Sequence, residues 1–176
     1  MTIYLTGFMG CGKSSTGRRV ARALGYAFAD TDSLVEEAAG KSIARIFSEE
    51  GETTFRQLET EALAAIPQEH DTIVATGGGL PCSERNLSLM RQRGRIVYLA
   101  SSRERLVHIL LACRRDRRPR IAGLDEAGIR EYVHTTLAQR ESYYSQADRT
   151  VICDGRDNRR IADEIIAYIR SLEELR

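Results

Sequence analysis

Ile3-Tyr4-Leu5-Thr6-Gly7-Phe8-Met9-Gly10-Cys11-Gly12-Lys13-Ser14 stands at the start of the chain, and its reading decides the fold. A short apolar run delivers Gly, four residues, then Gly-Lys-Ser, the pattern of a loop that wraps a polyphosphate. Glycine at 7, 10 and 12 permits backbone angles closed to residues with a Cβ, so successive N–H groups can curl around an anion. Lys13 has the reach and charge for the β- and γ-phosphates, and Ser14 offers a hydroxyl to the Mg²⁺ that accompanies a nucleoside triphosphate. The helix expected over 13–24 points its positive end at the same anion. A Gly-rich turn with no ligand is the plain alternative. A dinucleotide loop also begins Gly10-Cys11-Gly12, but Ser15 stands where that fingerprint needs its third glycine.

Working outward, apolar runs at 3–6, 27–29, 72–76, 95–99 and 150–153 read as five short buried strands. Helical patterns alternate with them at 13–24, 32–39, 43–50, 51–65, 83–93, 102–113, 125–145 and 159–175. Such alternation implies an α/β fold, a parallel sheet with helices on both faces, with ligands beyond the C-terminal strand ends. At 176 residues, 42% hydrophobic and 29% charged, the chain suits one soluble domain with a real core. A net charge of +1 excludes nucleic acid and anionic membrane as main partners. No apolar run approaches the roughly 18 residues of a membrane span. The first strand begins too early for a signal peptide, so a cytoplasmic protein is expected. Four cysteines show no C-x-x-C pair and no His at metal-ligand spacing. Cys11 is either filler at a variable loop position or a thiol with its pKa lowered by Lys13.

Four further features fall where a ligand would bind. Asp30-Thr31-Asp32 follows the second strand. Two carboxylates at i, i+2 share a side while a strand lasts, so one can serve Mg²⁺ and the other an attacking alcohol. The same triplet reads as a helix N-cap. Thr76-Gly77-Gly78-Gly79 follows the third strand, either as a flexible turn or as backbone brought close to a ligand. Arg114-Arg115-Asp116-Arg117-Arg118-Pro119-Arg120 holds five arginines in seven positions. It is either a solvated basic loop or a lid that sets a guanidinium on a transferring phosphoryl group. Arg56 and Arg140 are ambiguous alone.

Taken together, the phosphate loop, Asp30-Thr31-Asp32, Phe55-Arg56 with Glu59, Thr76-Gly77-Gly78-Gly79, Arg118-Pro119 and Arg140 before Tyr143-Tyr144 resemble shikimate kinase over nearly the whole chain. That family is a small member of the nucleoside-monophosphate-kinase-like P-loop branch. The resemblance implies a three-layer P-loop fold, its five-stranded parallel sheet in the order 2-3-1-4-5, as a single kinase domain over 1–176. Within it lie a shikimate-binding region at about 32–62 and a lid at about 112–125. It implies ATP and Mg²⁺ as cofactors, shikimate as the small-molecule acceptor, a monomer, and transfer to the acceptor's 3-hydroxyl. Gluconate, another polyol acid, is the alternative acceptor.

Position by position, the resemblance gives Gly10, Cys11, Gly12, Lys13, Ser14 and Ser15 to the nucleotide, and Ser14 with Asp30 to the metal. Lys13 and Arg118 stabilise the transferred phosphoryl, and Asp32 binds the attacking hydroxyl. Arg56, Gly77, Gly78, Gly79 and Arg140 look like the remaining acceptor contacts, with Glu59 orienting Arg56, and Arg156 falls near the adenine. The chain departs from the family's usual apolar continuation after Arg118-Pro119 by placing Arg120 before Ile121. Arg117, Arg118 and Arg120 therefore compete for the lid role, and Arg118 is chosen for its proline.

Overall fold

The central strand is the one that feeds the phosphate loop. The computed structural model describes residues 1–113 and 120–175. In it β1 (Thr2–Thr6) has all five residues buried, as a strand must when helices cover both faces of its sheet. It pairs in parallel with β3 (Thr72–Ala75) on one side and β4 (Gly94–Ala100) on the other. β2 (Ala27–Asp30) and β5 (Arg149–Ile152) complete the sheet at its edges. The order is β2-β3-β1-β4-β5, as the sequence led us to expect. Its register sets Leu5 beside Ala75 and Val97, so the loops leaving β1, β2 and β3 emerge at one end.

Strand side chains alternate between faces, and two cores result. Ile3, Leu5, Ile73, Val97 and Leu99 share one cluster, while Tyr4, Val74 and Ile96 share the other. The first is covered by Val20 of α1 (Lys13–Leu24), Leu106 of α6 (Arg103–Ala112), Val133 of α7 (Glu126–Tyr144) and Ile165 of α8 (Asn158–Glu173). The second receives Leu63 of α4 (Gly51–Ala64) with Leu87 and Met90 of α5 (Glu84–Arg93). A smaller cluster of Val35, Ile46, Phe55 and Ala62 binds α2 (Thr31–Ala39), α3 (Ile43–Glu49) and α4 to one another. These three helices form one wall of the cleft described below.

Element boundaries fall within one or two residues of expectation because the chain spells out its caps. Ser42, Ser102 and Asp125 each precede a helix and accept from the backbone N–H three residues on, satisfying a donor the helix leaves unpaired. One local reading is corrected. Asp30 and Asp32 do not share a strand face, because β2 ends at Asp30 and α2 begins at Thr31. Asp30 is the N-cap, its carboxylate accepting from Asp32 N at 3.1 Å, so the cap reading of this triplet is borne out. Of the expected lid, Arg114, Arg115, Arg117 and Arg118 lie outside the described residues. Ile121, just beyond them, is fully buried in the first core. Among the described residues no helix is long and apolar enough to cross a membrane.

Candidate active site

The loop after β1 has the backbone its sequence demands. Gly7, Gly10 and Gly12 have φ of 139°, 85° and 97°, angles that a side chain would strain. Gly12 caps α1 without a side-chain bond, leaving the helix's first N–H groups directed at whatever sits in the loop. Lys13 is buried and folds back over the loop, its Nζ donating to Gly7 O at 2.8 Å and Phe8 O at 2.9 Å. Ser14 Oγ donates to Asp30 Oδ2 at 2.6 Å. A hydroxyl and a carboxylate thus meet beside a ring of backbone donors. These residues fit a magnesium–nucleotide complex: glycines for the phosphates, Lys13 for their charge, Ser14 and Asp30 as two oxygen ligands. Among the described residues no group of three or more His, Cys, Asp or Glu could hold a metal alone, and Mg²⁺ bound through substrate phosphates needs none.

The loop opens into a cavity of about 880 Å³. Gly10, Gly12, Lys13, Ser14, Ser15 and Asp30 line it together with Asp32, Arg56, Glu59, Gly77, Gly78, Gly79 and Arg140. Donor and acceptor residues expected from sequence therefore share one cleft. Its floor is the Thr76-Gly77-Gly78-Gly79 turn, fixed at two points: Gly77 N donates to Thr31 Oγ1 at 2.8 Å and Tyr144 Oη donates to Gly78 O at 2.5 Å. At two of these glycines a side chain would have to displace the residues that line the cleft. A Cβ on Gly77 would lie 2.5 Å from Glu59 Oε1 and 2.6 Å from Asp32 Oδ1, and one on Gly79 would lie 2.5 Å from Arg56 Nη1. Gly79→Ala should therefore displace the Arg56 guanidinium and raise KM for the acceptor about tenfold, roughly 1.4 kcal/mol. Steady-state kinetics check this, and an unchanged KM would show that Arg56 yields without consequence.

Charge is balanced closely. Burial raises the Asp32 carboxyl above its usual range, with Asp30 adding to this and Lys13 opposing it. Arg56 donates through Nη1 to Glu59 and through Nη2 to Glu52, the latter at 3.1 Å. Glu59 is only 1% exposed. Burial pushes it up to about 7 against the pull of Arg56. A native carboxyl above its ordinary value of 4.5 makes the folded chain the better proton binder. Its stabilising contribution is full below the ordinary value and lost as pH rises through about 7. Glu59→Gln should flatten this part of the pH dependence of the urea midpoint, leaving the slope that Asp32 contributes in the same direction. Parallel wild-type and variant profiles would contradict this assignment.

Two expected residues, Cys11 and Arg156, are not part of the cleft wall. Cys11 is buried in the first core, its Sγ 2.9 Å from where a Gly7 Cβ would be, so only its backbone belongs to the loop's rim. Arg156 does not line the cavity. Its guanidinium donates to Ile152 O at 3.1 Å, Arg160 O at 3.0 Å and Glu164 Oε2 at 2.5 Å. Arg118 lies outside the described residues. Conversely, Ile43, Ala44, Phe47 and Phe55 supply an apolar wall that sequence reasoning missed. Phe47 and Phe55 meet with ring centroids 4.7 Å apart. In sequence they are apolar positions on two helices, indistinguishable from core. Arg120, weighed as a lid residue, also lines the cleft.

Comparison with known proteins agrees with this geometry. The family model described as shikimate kinase matches residues 9–170. A shikimate kinase of Chlorobium limicola is 39% identical over 183 residues, covering 99% of this chain and 91% of its own. A structure of shikimate kinase from Acinetobacter baumannii in complex with shikimate superposes with TM-score 0.87 at 32% identity, covering 97% of this chain and 93% of that one. A gluconokinase from Sinorhizobium meliloti, at 18% identity and TM-score 0.65 over 98% of this chain and 93% of its own, shares the fold alone. With a family model matching residues 9–170 and relatives matching nearly its whole length in sequence and fold, the chain belongs to the shikimate kinase family.

Proposed function

We propose that the cleft transfers the γ-phosphoryl group of ATP to the 3-hydroxyl of shikimate, giving shikimate 3-phosphate and ADP, and that the residues divide this work as follows. The observation that carries the assignment is the meeting of a phosphate loop with the Asp32 carboxylate, Arg56 and Arg140 in one cavity. Two guanidiniums suit the carboxylate of a small acid, because each offers a planar fork of donors. Asp32, at the start of α2, takes the attacking hydroxyl. Arg56 and Arg140 take the acceptor's carboxylate, with Glu59 positioning Arg56 and the glycine turn giving its backbone to the ring hydroxyls.

On the donor side the loop's N–H groups and Lys13 bind the phosphates and hold them in line with the acceptor. Ser14 and Asp30 would hold Mg²⁺, which when bound neutralises charge on the β- and γ-phosphate oxygens. Arg118 remains our candidate for the guanidinium that meets the transferred group, and Arg156 for the adenine contact. Such a protein does little covalent work, so positioning and charge neutralisation supply the rate. This division of roles calls on no second chain, and the enzyme is proposed as a monomer. The region 32–62 is then the acceptor-binding part of one kinase domain spanning 1–176, with 112–125 as its lid. Cys11, Cys82, Cys113 and Cys153 are free thiols, in keeping with a reducing, cytoplasmic setting.

The test is acceptor choice. With ATP and Mg²⁺, shikimate should be phosphorylated and gluconate, which lacks a cyclohexene ring to lie against Phe47 and Phe55, should not. Equal turnover of both acids would remove the substrate assignment while leaving the kinase intact.

A further inference from the structure

Arg120 lies on the same cleft as Arg56 and Arg140, and two contacts hold it there. Its guanidinium donates to Glu52 Oε1 and lies over the Phe47 ring, with Cζ 5.3 Å from the centroid. The same oxygen of Glu52 accepts from Arg56 Nε at 3.3 Å and Nη2 at 3.1 Å. A single anionic oxygen therefore spans Arg56 and Arg120, which shows that the two guanidiniums stand one carboxylate apart. Their resident anion is loosely kept. The Glu52 side chain is 55% exposed, whereas Glu59, on the other edge of Arg56, is 1% exposed. Glu59 stays with Arg56; Glu52 can turn into water. Burial resists ionisation of Glu52, but Arg120 and then Arg56 outweigh it and hold its carboxyl below the usual range. The space between the guanidiniums thus favours a negative charge. A guanidinium carries five N–H donors, so Arg56 keeps donors for an incoming acid after Glu59 and Glu52 are served.

We propose that Arg120 is a specificity-determining residue of the acceptor subsite, a third guanidinium facing the substrate carboxylate, for which Glu52 keeps the place in the free protein. The inference rests on the reading that Arg56 and Arg140 receive that carboxylate. It separates Arg120 from the donor side, because a residue serving the transferred phosphoryl would act on nucleotide and rate rather than on the acid.

The experiment compares Arg120→Leu and Arg120→Lys with wild type, using shikimate and its methyl ester as acceptors. Arg120→Leu should raise KM for shikimate about three- to fivefold, the scale of a partly exposed ion pair. It should leave KM for ATP unchanged and affect the uncharged ester less than the acid. Arg120→Lys should recover most of the loss, and added salt should shrink the difference between wild type and Arg120→Leu. An unchanged KM for shikimate, equal effects on acid and ester, or an effect confined to ATP would each overturn the proposal. Arg56→Ala keeps the underlying reading separate. If it weakens shikimate binding and Arg120→Leu does not, only the role of Arg120 falls. If Arg56→Ala has no effect, the acid subsite falls and this inference with it.

Discussion

Asp32→Asn should lower kcat by about 10²- to 10⁴-fold, the range in which a positioned carboxylate contributes by taking a proton. The substitution keeps the side chain's shape and removes its charge. Asp32 is suited to the role by location and by environment. It lies in the first turn of α2 and lines the same cavity as the phosphate loop, and its carboxyl is raised by burial and by Asp30 while Lys13 and Arg56 pull it down. A base so raised leaves a signature: the acid limb of the wild-type kcat–pH profile should fall above the ordinary carboxylate value of 3.8 and vanish in Asp32→Asn. A wild-type profile flat through that range, or an Asn variant within about threefold of wild type, would reduce Asp32 to a residue that merely orients the hydroxyl.

Arg140→Ala should raise KM for shikimate by about 10²-fold, with little change in KM for ATP. Arg140 is 9% exposed, lies 5.8 Å over the Phe8 ring and stands 3.3 Å from where a Gly78 Cβ would be. Truncating one partner of a buried charge pair costs about 2–5 kcal/mol, because the remaining charge has lost its counter-ion. Arg56→Ala should act in the same direction with an added consequence. It strips Glu59 of its cation, so a carboxyl already at about 7 should hold its proton to still higher pH. If both alanine variants bind shikimate as wild type does, the acid is not recognised here.

The fold was legible because its information is local. The central strands β1, β3 and β4 are largely buried and appear as mainly apolar runs. The edge strands β2 and β5, expected to be buried too, are mostly part-exposed or exposed because each has a neighbour on one side only. Helices announce themselves through capping residues such as Ser102 and Asp125. The shape of the loop after β1 was legible for a related reason. Gly7, Gly10, Gly12, Lys13 and Ser14 act within one turn of chain, so their spacing is their geometry.

The proposed acceptor half draws on α2, α3, α4, the glycine turn and α7, and its members are far apart in sequence. Arg56 and Arg140 could be chosen only through resemblance, since either alone looks like a surface cation. Phe47 escaped notice, and Phe55 was quoted only as the neighbour of Arg56, because an apolar side chain facing a cleft obeys the same periodicity as one facing a core. Asp30 and Asp32 show a subtler limit. The pair was placed on the right side of the sheet by strand reasoning, although a helix start brings them there.

The most direct test of the central claim is ADP release measured with ATP and Mg²⁺, in the presence and absence of shikimate. A kinase of this family should release ADP in step with shikimate consumed, with phosphate appearing on the 3-hydroxyl and only slow hydrolysis without the acid. Slow ADP release that ignores shikimate would mark a nucleotide-hydrolysing switch and contradict the account.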